Sequence, residues 1–187
     1  GGLGIGSGKW QLDMFSSLDL AVTSMIRTQD GFLTNLSGVA SKDLTNITKL
    51  YYVNPASETV KKNFIRLINR GSQSGTITIA GIDDNGAAAP GGNVTITLGG
   101  NQSMQVTVED LENGNVTKGL TGKLGDGVGL WHLNVSATVN ISVMNLIRAT
   151  GGFLTNVSQA SPIVAQVNKV FFFNPGSNKN QKSSLRL

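Results

Sequence analysis

The sequence predicts an all-β protein: an immunoglobulin-like or fibronectin-like antiparallel β-sandwich, repeated in tandem. Three observations carry this. Apolar residues alternate with polar ones at a period of two, as they do in half-buried strands. Clusters of Gly, Asn, Asp and Ser separate the alternating runs and supply turn chemistry. The chain also repeats itself after about 120 residues.

The repeat is read directly. IRTQDGFLTNLS from Ile26 returns as IRATGGFLTNVS from Ile147, 121 positions later. Trp10 matches Trp131 at the same offset. KLYYVNPAS from Lys49 returns as KVFFFNPGS from Lys169, now 120 positions on, and Arg66-Leu67 recurs as Arg186-Leu187. Three units follow. Residues 1–48 are the closing half of a module, 49–158 a complete module, and 159–187 a linker with the opening strands of a third. The start has no Met, no basic n-region and no apolar h-region. The sequence therefore reads as a piece of a longer protein.

Strands are expected in order. The first copy alternates Trp10, Leu12 and Met14, then Leu18, Leu20 and Val22. In the middle module, Lys49 opens KLYYV, and VKKNFIRLI from Val60 is ambiguous between strand and helix. TITIAGI then aligns Ile77 and Ile79, and NVTITL aligns Val94, Ile96 and Leu98. SMQVTV aligns Met104, Val106 and Val108, WHLNV aligns Trp131, Leu133 and Val135, and VNISVMNLI aligns Val139, Ile141 and Val143. The DDNG, GG, GGN and ENGN runs between them are turns, because Gly and Asn accept positive φ cheaply. Segments 38–48 and 159–168 are expected to connect modules.

Composition narrows the function classes. The 187 residues include 24 Gly and no Cys, which removes disulfides, thiolate nucleophiles and thiolate-bound zinc. A net charge of +4 is too thin for a nucleic-acid stripe. No apolar stretch approaches the roughly 20 residues that span a bilayer as a helix, so no membrane insertion is expected.

The combination FFFNPGSNKNQKSSLRL, TITIAGIDDNG, EDLENGN, KGLTGKLGDGVGLW and IRATGGFLTN resembles a repeat module of large secreted or surface proteins from marine and halophilic bacteria. The resemblance runs over essentially the whole chain. It implies an exported, non-catalytic, β-rich module, with no catalytic residues and no cofactor to carry over.

The candidate sites each have a plain alternative. His132 is the only histidine, and the first copy has Gln11 there, so a solvated strand residue is expected rather than a catalytic base. Asp83, Asp84 and Asn85 offer oxygens to a calcium ion, but Asp-Asn-Gly between strands is an ordinary hairpin turn. Glu109, Asp110 and Glu112 form a second acidic cluster, expected as a solvated strand end. Trp10 and Trp131 are possible sugar platforms, yet they alternate in phase with core residues. Three consecutive aromatic or Val residues, at Tyr51 and again at Phe171, Phe172 and Phe173, cannot all face one core. At least one must face a neighbouring module or partner. Arg27 and Arg148 share one repeat position; each either pins its strand end to carbonyls or a carboxylate or is a solvated strand end. The Gly runs lack a phosphate-loop pattern and read as turns or close backbone approaches. Asn-x-Ser/Thr occurs eight times, at a frequency the composition explains, although glycosylation stays open.

Two functions follow from different classes. One is a non-catalytic structural or adhesive module of an extracellular or cell-surface protein, whose partners are copies of itself or adjacent modules end to end. The alternative is a carbohydrate-binding accessory module of a secreted enzyme, with a surface glycan as partner. Aromatic burial separates them.

Overall fold

A computed structural model of the chain describes residues 12, 14–19, 21–29, 31–40, 42, 46–159, 174, 175, 177 and 183. Among these, a short hairpin of β1 (Met25–Arg27) and β2 (Leu33–Asn35) precedes eight further strands. They are β3 (Thr48–Val53), β4 (Lys61–Asn69), β5 (Gly75–Ile82), β6 (Val94–Leu98), β7 (Ser103–Thr107), β8 (Trp131–Ala137), β9 (Ile141–Ala149) and β10 (Leu154–Asn156). One short helix, α1 (Val108–Asn113), and a 3-10 turn at Val116–Lys118 lie between β7 and β8.

The eight strands form two four-stranded antiparallel sheets with sandwich-like packing. One sheet has the order β3-β8-β5-β6, the other β10-β9-β4-β7. Period-two alternation sends Ile77, Ile79, Val94, Ile96, Leu98, Trp131, Leu133 and Val135 inward from the first sheet. Ile65, Leu67, Val106, Ile141 and Val143 come inward from the second. Each such large side chain, fully buried, contributes roughly 1.5–3 kcal/mol. The strand order differs from the ABED/CFG arrangement of immunoglobulin constant domains.

Three local readings are resolved or corrected. VKKNFIRLI is a strand, because Asn63, Ile65, Leu67 and Asn69 all face inward at a period of two. Tyr51 and Tyr52 sit in a register shift between Leu50 and Val53. This bulge lets Leu50 and Val53, three residues apart, both face the core. Tyr52 is left exposed. Val108, expected on a strand with Met104 and Val106, instead opens α1. The Thr107 hydroxyl accepts from the Asp110 amide at 3.1 Å, and the Asp110 carboxylate accepts from the Thr107 amide at 2.8 Å. This reciprocal capping box ends the strand and starts the helix.

Candidate functional site at the joint between repeats

The GFLTN segments of the two copies build the same hairpin. In the first, the Thr28 amide donates to the Phe32 carbonyl (2.8 Å) and the Gly31 amide to the Thr28 carbonyl (3.0 Å). In the second, Ala149 donates to Phe153 (2.8 Å) and Gly152 to Ala149 (3.0 Å). Gly31 and Gly152 turn the chain at φ of 88° and 85°, a conformation that other residues adopt at a cost. Strand pairing agrees residue for residue: Ile26 faces Thr34 as Ile147 faces Thr155.

Two of the Asn-x-Ser matches are part of this hairpin. Asn35 Oδ1 accepts from the Ser37 amide (2.8 Å), and the Ser37 hydroxyl accepts from the Ser24 amide (2.8 Å). Asn156, Ser158 and Asn145 repeat the pattern at 3.0 and 2.8 Å. Asn and Ser close an Asx-type turn and satisfy a backbone donor beyond it.

The first hairpin rests against the second. The Phe32 and Phe153 rings meet edge to face, with centroids 5.2 Å apart. The Thr34 hydroxyl donates to the Leu154 carbonyl, and the Asn156 side-chain amide donates to the Gly38 carbonyl at 2.9 Å. Beyond the hairpin the Ala40 amide donates to the Val143 carbonyl at 2.8 Å, and Ala40 enters the core. Because antiparallel ladders alternate bonded and non-bonded pairs, bonds at Ala149–Phe153 and Val157–Asn145 leave the Leu154 carbonyl on the open side of β10. β10 is an edge strand, and Thr34 of the preceding copy caps it.

A buried amide clasp fastens the start of the complete module to its end. Asn54 donates through its backbone to Asn63 Oδ1 at 2.9 Å, and Asn63 Nδ2 donates to Asn145 Oδ1 at 2.7 Å. Asn145 Nδ2 donates to the Tyr52 carbonyl at 2.9 Å. The opening of the third copy keeps one element of it: the Asn174 amide donates to the Ser183 hydroxyl at 2.8 Å, as Asn54 does to Asn63.

In the acidic cluster Glu109 is exposed, but Asp110 and Glu112 are structural anchors, and for these two the expectation of a solvated strand end is wrong. Asp110 and Glu112 are buried, at 8% and 6% exposure. Glu112 Oε1 accepts from the Trp131 indole at 2.7 Å and from the Ala56 amide at 3.1 Å. Asp110 accepts from Asn115 Nδ2 at 2.6 Å and from the Lys118 ammonium at 2.5 Å. Burial alone would raise its pKa. The Lys118 ammonium, the Thr107 amide and the Asn115 side chain outweigh that and hold it at about 2. In the DDNG turn, Asp83 Oδ1 accepts from the Ala87 and Asn85 amides, each at 2.9 Å, and Oδ2 from Val128 at 3.2 Å. The Ala87 amide is the main reason its pKa is lowered; burial opposes this, and the Val128 and Asn85 amides add to it. Asp84 Oδ2 accepts from the Leu130 amide at 2.8 Å. These oxygens are engaged by the chain itself. Among the described residues, no group of three or more His, Asp or Glu side chains is placed to hold a metal ion.

The remaining candidates separate. Trp131 is 1% exposed, with Gly81 and Gly127 so close to its ring that a Cβ on either would clash. Tyr51 is half-buried and meets the His132 ring edge-on at 5.6 Å. Arg27 and Arg148 lie at matching hairpin positions, and both are exposed. Among the described residues neither makes a hydrogen bond or ion pair that would pin the strand end, which leaves the solvated alternative. Trp10, Phe171, Phe172 and Phe173 lie outside the described residues. The joint residues Phe32, Phe153, Thr34 and Asn156 were visible only as part of the repeated GFLTN string, which marks a shared hairpin but not its contact.

Fold and joint together define a class: an antiparallel sandwich preceded by a hairpin of the previous repeat docked on its last edge strand. Comparison of the chain with protein-family models, curated proteins and solved structures finds no match.

Proposed function

We propose that this chain is a non-catalytic structural or adhesive segment of an extracellular or cell-surface protein, in which sandwich modules with immunoglobulin-like layering stack end to end. The observation that carries this reading is the form of the hairpin contact. Equivalent hairpins meet: Phe32 packs on Phe153, its counterpart in the repeat, and the hydrogen bonds are one-sided, with Thr34 donating to Leu154 while among the described residues Thr155 does not donate to Leu33. The one-sided hydrogen bonds distinguish the two hairpins of a pair, and repetition of such a contact from copy to copy gives an open array unless its rotation closes a ring. The export of the protein is supported by its resemblance to surface-protein repeats. Burial of Trp131 weighs against the carbohydrate-binding reading, which needs a flat aromatic face in water.

The test is to lengthen the chain by one further repeat and image both lengths by negative-stain electron microscopy. Stacking gives a straight particle that grows by a fixed increment per repeat. Freely jointed beads with variable spacing would overturn the reading. Labelling of intact source cells with an antibody to the sandwich tests the surface location, and absence of label on unbroken cells removes it.

A further inference from the structure

The outward face of the first sheet carries a regular net of hydroxyls. On β5 the outward residues are Thr76, Thr78, Ala80 and Ile82, on β6 Thr95 and Thr97, and on β8 His132, Asn134 and Ser136. Register sets them in rows. Thr76 stands opposite Thr97 and Thr78 opposite Thr95, while Ser136 and Thr121 widen the second row at its two ends. Strand spacing puts neighbours about 4.8 Å apart across a row, and two residues of rise separate the rows by about 6.8 Å. The four Thr therefore mark the corners of a rectangle.

Strand propensity alone does not account for this face. It favours Thr on any exposed strand. Yet the second sheet turns Lys62, Phe64, Arg66 and Ile68 outward from β4, with Arg148 of β9 opposite Lys62. The first face has no Lys, Arg, Asp or Glu at any outward position of β5, β6 or β8. Among the described residues, the hydroxyls of Thr76, Thr78, Thr95 and Thr97 make no hydrogen bond within the chain.

We propose that this face binds ice, with Thr76, Thr78, Thr95 and Thr97 at the centre of the site. Water oxygens on the prism face of an ice crystal repeat on a rectangular net of nearly these two spacings. Each Thr offers a hydroxyl that joins the hydrogen-bonded lattice and a methyl beside which water is already ordered. Branching at Cβ restricts χ1, so the hydroxyls hold their places with little further loss of freedom. Ile77, Ile79, Val94 and Ile96, buried directly beneath, keep the two strands fixed. Neutrality matters for the same reason. An ice lattice excludes ions, so a charged side chain at the contact would shed its hydration without replacement.

Sheet twist turns neighbouring strands by roughly 20–25°, so the match is closest between the adjacent strands β5 and β6. A soluble sugar is held by an aromatic platform, and a nucleic acid by cations; the rectangle has neither. The site lies within one module and does not depend on end-to-end stacking.

Slowly growing ice excludes ordinary solutes, which gives a direct test. An ice shell grown from a dilute solution of the chain should retain the protein in the solid, while an inert protein of similar size stays in the liquid. Thr78→Glu and Thr76→Glu each put a carboxylate in the rectangle and should move the chain to the liquid. Ser142→Glu puts the same charge on the outward face of the second sheet and should leave the chain in the ice. Urea unfolding identifies any variant that has lost its fold, and Thr76 is exposed, so its replacement leaves the core intact. Thr78→Ser with Thr95→Ser keeps the hydroxyls, removes two methyls and should lower the retained fraction. Exclusion of the unaltered chain from ice overturns the proposal. Retention shared by folded Thr78→Glu and Thr76→Glu chains also overturns it, as does an equal loss in Ser142→Glu. Binding to crystalline cellulose or chitin in place of ice, lost in Thr76→Glu, would assign the face to a polysaccharide lattice and remove ice as its partner.

Discussion

Residues 24–37 and 145–158 fold into one hairpin twice, with the same backbone hydrogen bonds, yet the two copies stand in opposite surroundings. Met25 and Ile26 are 46% and 40% exposed, whereas Leu146 and Ile147 are each 7% exposed. The hairpin is thus encoded locally, by a Gly at positive φ, an Asn-x-Ser turn and a fixed loop length. Burial is not local. It needs β4, which arrives from about 80 residues upstream to pair with β9.

The sharpest break of the comparison is to truncate the same position in both copies. Leu133→Ala should destabilise the sandwich by about 2–5 kcal/mol, through lost burial and the cavity left behind. Leu12→Ala, at the matching exposed position, should change stability by less than about 0.5 kcal/mol. Urea unfolding followed by tryptophan fluorescence reads both. Equal losses would mean that Leu12 is covered in solution by something other than the residues described.

The clasp gives the next contrast. Asn145→Ala removes the acceptor of Asn63 and the donor to the Tyr52 carbonyl, both in a buried site. The expected loss is about 1–3 kcal/mol, the cost of leaving buried polar groups short of partners. Ser24→Ala in the first copy keeps its backbone bond to Ser37 and should cost less than about 0.5 kcal/mol. A Ser24→Ala loss as large as that of Asn145→Ala, again in urea, would show that the first half is already complete.

Acid should also tell the copies apart. Asp110 has its folded-state pKa held down at about 2, below the ordinary carboxylate range. A carboxylate with a depressed folded pKa contributes stability above its unfolded pKa, and that contribution disappears as pH falls through the folded value. The sandwich should therefore lose stability progressively between about pH 4 and pH 2, and Asp110→Asn should flatten that slope. Asp110 lies in the α1 strap, outside the first-copy hairpin, so amide exchange within β1–β2 should not follow the same titration. A sandwich melting temperature that stays constant over this interval would contradict the assignment.

Much of this arrangement was legible in the sequence, and the parts that were not share a cause. Period two identified the inward faces of β5, β6, β8 and β9, because burial on one face of a strand leaves a pattern in the strand itself. The repeat located the hairpins for the same reason. Alternation failed at Val108, where Val106 and Val108 continue the strand rhythm while Thr107 and Asp110 close a helix cap. That Thr-x-x-Asp spacing was the available signal. Asp110 and Glu112 were read as solvated, since acidic residues usually are. Their partners are an indole, amides and an ammonium brought in from 8 to 56 residues away. Only the need of a buried indole N–H for an acceptor hinted at one of them. The Phe32–Phe153 joint was invisible because nothing in a repeated string says that its copies touch each other.

That joint offers the smallest and most local test. The Thr34 hydroxyl caps the outward carbonyl of Leu154, and removing it in Thr34→Ala should loosen the first hairpin by about 0.5–1.5 kcal/mol, the net worth of one hydrogen bond. The readout is amide exchange at paired sites. Thr28 and Leu36 should exchange faster, while their counterparts Ala149 and Val157, held by β9 and the core, should not change. Thr155→Ala removes the matching hydroxyl from the second hairpin. Because among the described residues Thr155 makes no hydrogen bond to the first hairpin, it should leave both hairpins unaffected in this chain and acquire an effect only when a complete following repeat is added. If Thr155→Ala loosens the joint as much as Thr34→Ala does, the two hairpins meet symmetrically. A symmetric contact consumes the same surface on both partners, so it cannot propagate along an array.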